Sequence, residues 1–224
     1  WPGFAPETET TFKVRTLIDM LAGVSFSRDK DSLDALAFIS LAIKDGRVFA
    51  VSTNGARMTI AEGDSEGIPD LDANASSWLF TREMESCLKK LGDTVTIGST
   101  ENRLSFISGN YSAVFPRAMF QFPQWRNILP NEDSALWRGT LNASEAISRL
   151  EAIAQLKPRW VSAEFGSENA IGVRTQADDS EANVAIPATG EGEAKLAFSC
   201  DYLLDALRNC PYETVPAFVM DKML

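Results

Sequence analysis

Apolar positions along the chain recur with two spacings, one typical of helices and one typical of strands. The helical spacing predicts four helices, at 12–24, 81–91, 143–156 and 201–209, and in the first of them Val14, Leu17, Ile18 and Leu21 share one face. Polar side chains cap three of these helices, with Thr81 before the second, Asn142 before the third and either Ser199 or Asp201 before the fourth. Short apolar runs predict the strands 38–43, 47–51, 58–61, 78–80, 94–97, 103–107, 112–115, 160–165, 170–175, 183–186 and 195–198.

The two halves of the chain carry these elements in the same order: a helix, four strands, a second helix and a further strand. A period of roughly 125 residues is too long for a solenoid repeat and indicates two similar domains in tandem. We therefore predict an α+β protein with domains at 1–133, including an N-terminal linker at 1–10, and at 134–224. The boundary falls near 131–134, in polar sequence after Pro130.

The second predicted domain is shorter than the first. Only 211–224 follow its last helix, which is enough for one full strand or for two very short ones. Two explanations remain open from the sequence. Either this domain has lost two strands, or residues near 214–216 are absent from the chain. Two segments rich in glycine and acidic residues, 62–74 and 188–193, are predicted to be loops, as is 176–180.

The turn at 52–57 joins two of the predicted strands. Its Asn54-Gly55 pair is a strong signal for a two-residue hairpin, because both residue types adopt positive φ at little cost. Asp45-Gly46 carries the same signal between strands 38–43 and 47–51. A plain hairpin is the simplest interpretation of 52–57, and only the surrounding motifs suggest that this turn has a further role.

Composition narrows the classes of function. The chain has 224 residues, 45% hydrophobic and 23% charged, and no histidine, which excludes Ser-His-Asp and Cys-His catalysis and most zinc sites. Its three cysteines, Cys87, Cys200 and Cys210, match no metal motif and predict buried, reduced thiols in a cytoplasmic protein. The sequence has no apolar run of about 18 residues that would cross a membrane. Its first residues, 1–6, are predicted to form a linker and not a signal peptide.

The net charge is −10, but the two signs are distributed differently. Acidic residues concentrate in the predicted loops, and basic residues lie on the predicted helices or at their ends: Lys13, Arg15, Arg28, Arg82, Lys89, Lys90, Arg149, Lys157 and Arg208. Such helical faces suit phosphate contacts without base recognition. Ordinary solvent exposure explains the same pattern equally well, since these helices also carry acidic residues. The basic residues are not interleaved with aromatic ones, which argues against single-strand binding by base stacking.

Five segments, in the correct order and covering nearly the whole chain, resemble the bacterial DNA polymerase III beta sliding clamp family. The segment 12–28, ending in Phe26-Ser27, resembles the first helix of the middle domain of that family, and 52–58 is similar to its Thr-Asp-Gly-His-Arg-Leu motif. The segment 122–130 resembles Phe-Pro-Asp-Tyr-Arg-x-Val-Leu-Pro at the same domain junction. The segments 198–207 and 217–224 resemble the last helix and the C-terminal tail of the family.

The resemblance implies a fold and a function. It implies tandem DNA-clamp domains in a ring around duplex DNA, with antiparallel sheets outside, two helices per domain on the inner face, and no catalysis or cofactor. It also implies a hydrophobic pocket between the middle and last domains for short peptides of the polymerase and the clamp loader. Carried over by position, the pocket comprises Leu36, Thr53, Gly55, Arg57, Met58, Pro123, Ile128, Phe218, Val219 and Met220, and the basic helical residues face DNA.

The chain departs from the family pattern at several places. Ala56 replaces the histidine of the turn motif, Asp221 replaces a proline of the tail, and Leu33 and Asn127 occupy positions where the family has arginine at the pocket edge. The first domain of the family has no counterpart, which leaves a trimer of this chain and a dimer of a longer chain both possible. A second hypothesis is a clamp-derived module that binds peptides without encircling DNA.

Overall fold

The computed structural model describes residues 5–64, 78–118, 120–166, 169–177 and 180–221. The chain divides into two compact units, Trp1–Pro123 and Gln124–Leu224, which we call unit 1 and unit 2 and describe separately. The polar segment 131–134, where the sequence suggests a boundary, groups with unit 2. None of the helices in the described residues is long and apolar enough to cross a membrane.

Unit 1 contains two helices and eight strands in its described part. In chain order they are β1 (Thr8–Lys13), α1 (Val14–Val24), β2 (Ile39–Lys44), β3 (Arg47–Thr53), β4 (Met58–Asp64), β5 (Trp78–Phe80), α2 (Arg82–Leu88), β6 (Thr94–Ser99), β7 (Arg103–Ser108) and β8 (Tyr111–Pro116). The strands form two antiparallel sheets with the orders β1-β6-β7-β8 and β4-β3-β2-β5. Both sheets and both helices contribute to one hydrophobic core.

Several sequence predictions for unit 1 are confirmed. The apolar face of α1 is buried through Val14, Leu17 and Leu21. The β2–β3 hairpin turns at Asp45 and Gly46, whose φ angles are 52° and 73°. Positive φ at both positions matches the right-handed twist of the two strands.

Unit 2 contains two helices and six strands in its described part. They are β9 (Trp137–Asn142), α3 (Ala143–Ala154), β10 (Val161–Phe165), β11 (Ala170–Ala177), β12 (Ser180–Gly192), β13 (Ala194–Phe198), α4 (Cys200–Arg208) and β14 (Thr214–Val219). They form one antiparallel sheet with the order β13-β10-β11-β12-β9-β14. The predicted caps of α3 and α4 are confirmed, and Ser199, not Asp201, caps α4 by accepting a hydrogen bond from the Tyr202 amide.

A strand that the sequence pattern does not predict precedes the first helix of each unit. The predicted helix at 12–24 begins at Val14, because Phe12 and Lys13 complete β1, which pairs with β6. The strand β9 likewise leads directly into α3. In β1 the buried positions Thr10 and Phe12 alternate with exposed ones, but Thr10 is polar, so the strand shows no clear apolar alternation in sequence.

The prediction of a loop at 188–193 is wrong. The strand β12 continues to Gly192, and it pairs first with β11 and then, over 188–192, with β9. Of the two alternatives for 211–224, the described residues form the single strand β14. In the predicted loop 176–180, the first two residues belong to β11 and the last one to β12. The two residues between them, 178–179, lie outside the described residues. In the predicted loop 62–74 the first three residues complete β4, and the rest lies outside the described residues.

Two paired glycines, Gly139 of β9 and Gly190 of β12, lie against one large aromatic ring. The Trp137 side chain is buried at 1% exposure, and its indole Nε1 donates to the carbonyl of Gly166 at 3.1 Å. A Cβ atom added to Gly139 or Gly190 would overlap the Trp137 ring. The two glycines therefore form the floor on which the indole lies, which explains why a glycine-rich stretch is a strand here.

We expect Gly190→Ala to lower the free energy of unfolding by about 1–3 kcal/mol, because overpacking forces the Trp137 ring or the backbone to move. Gly172→Ala is the matched control, since an added Cβ there meets no atom within 4 Å. Urea unfolding followed by tryptophan fluorescence measures the difference. Equal losses of stability in the two variants would show that the ring does not depend on a glycine floor.

Candidate functional site

The turn singled out in the sequence is a four-residue loop, 54–57, between β3 and β4. Thr53 and Met58 are the last paired residues of the two strands, and the Asn54 amide donates to the Arg57 carbonyl at 3.3 Å. Gly55 has a φ of 84°, whereas Asn54 is not in the positive-φ region. The hairpin is therefore confirmed, but the expected two-residue Asn-Gly corner is wrong.

Side chains of the turn hold its backbone in place. The Asn54 Oδ1 atom accepts hydrogen bonds from the amides of Ala56, at 3.1 Å, and Arg57, at 3.0 Å. The Thr53 hydroxyl accepts from the Gly55 amide at 3.0 Å and donates to the Arg57 carbonyl at 2.7 Å. Asparagine is suited to this position because its amide oxygen can satisfy nearby backbone donors in a turn. The conformation of the loop is thus set before any ligand binds.

The turn is also attached to the chain that follows α1. The Arg57 guanidinium donates from Nη2 to the carbonyl of Phe26 at 2.6 Å and lies over the Phe26 ring at 5.3 Å from its centroid. The Ser27 and Thr59 hydroxyls are 2.5 Å apart, and the Ser52 hydroxyl donates to the carbonyl of Val24. These contacts hold the half-buried Arg57 in one orientation.

Leu36, another predicted pocket residue, lies in a short 3₁₀ turn, Ala35–Ala37, and is half-buried. The Asp34 carboxylate caps this turn, accepting from the Leu36 amide at 2.9 Å and from the Ser32 hydroxyl at 2.6 Å. The bond from Ser32 and the weaker effect of the Leu36 amide lower the pKa of Asp34 below its ordinary value. Because the folded-state pKa is lowered, the stabilisation by this cap is complete above the ordinary pKa and is lost as the pH falls through the lowered one.

The remaining predicted pocket residues lie at the end of unit 1 and in unit 2. Pro123 ends unit 1 and is exposed. Ile128 and Phe218 are 52% and 41% exposed, and Met220 is half-buried. Val219 differs from these because it is 6% exposed and belongs to the core of unit 2. Within unit 1 the structure brings Thr53, Gly55, Arg57 and Met58 together in a single turn.

The 122–130 motif forms a 3₁₀ turn, Trp125–Ile128, whose anchor is Trp125 at 6% exposure. The Arg126 guanidinium lies over the Trp125 ring at 4.2 Å from its centroid. Asn127, one of the departures from the family pattern, donates from its side chain to the side chain of Gln124 at 2.8 Å. Within this motif Trp125 is therefore buried, whereas Ile128 is exposed.

Eight of the nine predicted DNA-facing residues are exposed: Lys13, Arg15, Arg82, Lys89, Lys90, Arg149, Lys157 and Arg208. Arg15 pairs with Asp19 one helical turn away at 3.0 Å, and Arg208 of α4 pairs with Glu151 of α3 at 2.8 Å. Arg28 is different, because its side chain is 8% exposed and its Nη1 atom lies 2.5 Å from an oxygen of Glu85. Arg28 is therefore in no position to meet a phosphate in this structure.

The described residues contain no group of three acidic or cysteine side chains that could hold a metal ion. The three cysteines carry free thiols, of which Cys200 is buried and the other two are half-buried. Burial raises the pKa of the Cys87 and Cys200 thiols, so both stay protonated and unreactive at neutral pH.

The partners that hold the site in place carry no local signal in the sequence. The Phe26 carbonyl and the Glu85 carboxylate are decisive, but both are remote in sequence from the side chains they bind. The Phe26-Ser27 ending of the first motif was the one available signal, since both residues turn out to contact the hairpin.

No protein-family model and no curated protein matches the chain. Solved structures do match. The sliding clamp of Pseudomonas aeruginosa, crystallised with a ligand, aligns over 99% of this chain with a TM-score of 0.86 and 17% identity. The DNA polymerase III beta subunit of Thermotoga maritima aligns over 99% with a TM-score of 0.85 and 18% identity. A putative beta subunit from Eubacterium rectale aligns over 98% with a TM-score of 0.83 and 16% identity.

The chain has the sliding-clamp fold. It spans 62% of the length of the Pseudomonas and Thermotoga clamps and 61% of that of the Eubacterium protein. The resemblance suggested by five short motifs is thus matched by the arrangement of nearly every described residue, although identity is low. The sliding-clamp fold also accounts for the repeated order of elements in the two units.

We expect Asn54→Ala to lower the free energy of unfolding by about 0.5–1.5 kcal/mol, because two backbone amides lose their acceptor. Amide hydrogen exchange should become faster at Ala56 and Arg57. Asn54→Asp is the matched control, since it keeps an oxygen at the same position. Unchanged exchange at both amides in Asn54→Ala would show that the loop does not need this side chain.

Proposed function

We propose that the chain is a DNA sliding clamp, a non-catalytic processivity factor that encircles duplex DNA in the cytoplasm and docks polymerase and clamp-loader peptides. The observation that carries the proposal is the sliding-clamp fold over 98–99% of the chain, at TM-scores of 0.81–0.86. The domain assignment 1–133 and 134–224 belongs to this proposal, as does the ring in which sheets face outward and helices face DNA.

The geometry of the turn supports peptide docking. The loop 54–57 is held by its own side chains and by Arg57, so binding requires little ordering of the protein. The half-buried Met58 offers an adaptable apolar surface next to these polar groups. An apolar surface with a few oriented polar atoms suits a short linear peptide.

The exposed cations on the helices support DNA contact. Lys89 and Lys90 follow α2 directly, and Arg149 lies on α3. Contacts of this kind attract phosphates without reading bases, as a protein that moves along DNA requires.

Two observations favour the second candidate function, a peptide-binding module that does not encircle DNA. Arg15, Arg28 and Arg208 each pair with a carboxylate, and the chain carries a net charge of −10. Paired cations attract phosphate less than free ones do. Both functions use the same turn, so peptide binding alone does not separate them.

Retention on DNA separates the two functions. A clamp loaded on nicked circular DNA should stay bound through gel filtration and should be lost when the DNA is cut, because the link is topological. Light scattering on the free protein measures its molar mass and therefore the number of subunits. We expect a trimer if this chain forms the ring by itself. A monomer that gains no retention on circular DNA, even with a clamp loader, would reject encirclement by this chain alone and would leave a dimer of a longer chain or the module.

The lysines after α2 provide a matched test of the DNA-facing helices. Lys89→Gln with Lys90→Gln should weaken DNA binding and reduce the slope of log K against log salt by about 0.9 per lost phosphate contact. Lys44→Gln with Arg103→Gln changes the net charge equally but lies on strands β2 and β7. Equal losses in the two double variants would indicate a general charge effect and not a DNA-facing helix.

Peptide docking is tested with a fluorescent peptide of the Gln-Leu-x-Leu/Phe type. We expect Met58→Ala to weaken its binding about tenfold, as truncation of a central contact residue does. Met220→Ala tests the contribution of unit 2 in the same assay. Ile107→Ala is the control, because it removes a similar apolar side chain that is 40% exposed on β7. Unchanged affinity in both methionine variants would reject the assignment of the pocket.

A further inference from the structure

The chain between α1 and the 3₁₀ turn of Leu36 contacts both parts of the proposed peptide site in unit 1. We call residues 25–29 the bracing segment. On one side, its Phe26 carbonyl accepts from Arg57 at 2.6 Å. On the other side, its Asp29 amide donates to the Leu36 carbonyl at 3.0 Å. The bracing segment therefore links the backbone at Leu36 to the side chain of Arg57.

Arg28 lies between these two contacts and fixes the segment to a helix. Its Nη1 and Nη2 atoms donate to the two carboxylate oxygens of Glu85, at 2.5 Å and 3.5 Å. Glu85 lies in the first turn of α2, which Thr81 caps. The ion pair thus joins the bracing segment to an element that is 57 residues away in sequence.

The Arg28–Glu85 ion pair is more buried than a typical surface pair, and this fixes its geometry. The side chains of Arg28 and Glu85 are 8% and 16% exposed, whereas those of the Arg47–Glu62 pair in the same unit are 58% and 42% exposed. Salt and water screen an exposed pair and allow it to move, but a shielded two-pronged arginine–carboxylate pair has a defined geometry. Removal of one partner leaves the other charge buried without compensation, so the element that carries it must shift to reach water, and the bracing segment loses its link to α2.

We propose that Arg28, paired with Glu85, is a positioning residue for the peptide site and not a DNA contact. The pair holds the bracing segment, the segment holds Arg57 and Leu36, and the strength of the pair sets the affinity for the peptide. This inference rests on the proposed peptide-docking function, and it names residues outside the pocket that tune it.

The test compares Arg28→Met with Arg47→Met in three measurements on the full chain. These are affinity for the fluorescent Gln-Leu-x-Leu/Phe peptide, amide hydrogen exchange at Ala56, Arg57 and Asp29, and the melting temperature. We expect Arg28→Met to weaken binding roughly 3- to 30-fold, the range of mutations that act through a packed network. Exchange should become faster at these three amides. Arg47→Met should leave affinity and exchange unchanged, because its pair is exposed.

Milder variants keep the test decisive if Arg28→Met does not fold. Arg28→Lys keeps one charged contact, and Glu85→Gln keeps an oxygen acceptor, so both should show smaller changes in the same direction. A folded Arg28 variant that has a lower melting temperature but unchanged affinity and exchange would overturn the proposal. Loss of DNA retention in Arg28→Lys, with peptide affinity unchanged, would also overturn it and restore Arg28 as a DNA contact.

The outcome for the wild-type chain separates this inference from the proposed function. If the wild-type chain binds no peptide, the docking function fails, while hydrogen exchange still decides whether Arg28 positions the turn. If the wild-type chain binds and Arg28→Met binds equally well, the docking function stands and the positioning role fails.

Discussion

The bond from Arg57 to the Phe26 carbonyl is the contact on which the candidate site depends. It joins the β3–β4 hairpin to the end of α1, and the stacking of the guanidinium on the Phe26 ring adds to it. Because the bracing segment continues to Arg28 and Asp29, the hairpin, the Leu36 turn and α2 are mechanically connected within unit 1. A site built this way is ordered by contacts outside its own lining, which is how a short loop keeps one conformation.

The two units share an order of elements, but fewer described strands follow the second helix in unit 2 than in unit 1. In unit 1, β6 pairs with β7 on one side and with β1 on the other. The corresponding strand of unit 2, β14, pairs only with β9 in the described sheet and lies at its edge. Pro216 lies within β14, and an edge strand tolerates a residue that cannot donate a backbone hydrogen bond. The core of unit 2 is completed instead by Trp137 on its glycine floor and by the extension of β12 to β9.

Charge is distributed on the helices in a way that composition alone does not reveal. A net charge of −10 argues against a DNA-coating protein, but eight basic residues on or beside the helices are exposed. Pairing of Arg15 and Arg208 with neighbouring carboxylates reduces the field that these faces present.

The sequence by itself determined the elements whose signals are local. The apolar face of α1, the Asp45-Gly46 turn, the caps Thr81 and Asn142 and the tandem order of elements all depend on residues within a few positions of one another. Tertiary structure decided what depends on distant partners. The strand β1 exists because β6 pairs with its polar residues, and Gly190 lies in a strand because Trp137 covers it. The sequence predicts Arg28 to be a surface cation, but in the structure it is buried and paired with the carboxylate of Glu85, 57 residues away. Spacing along the chain carries no information about so distant a partner.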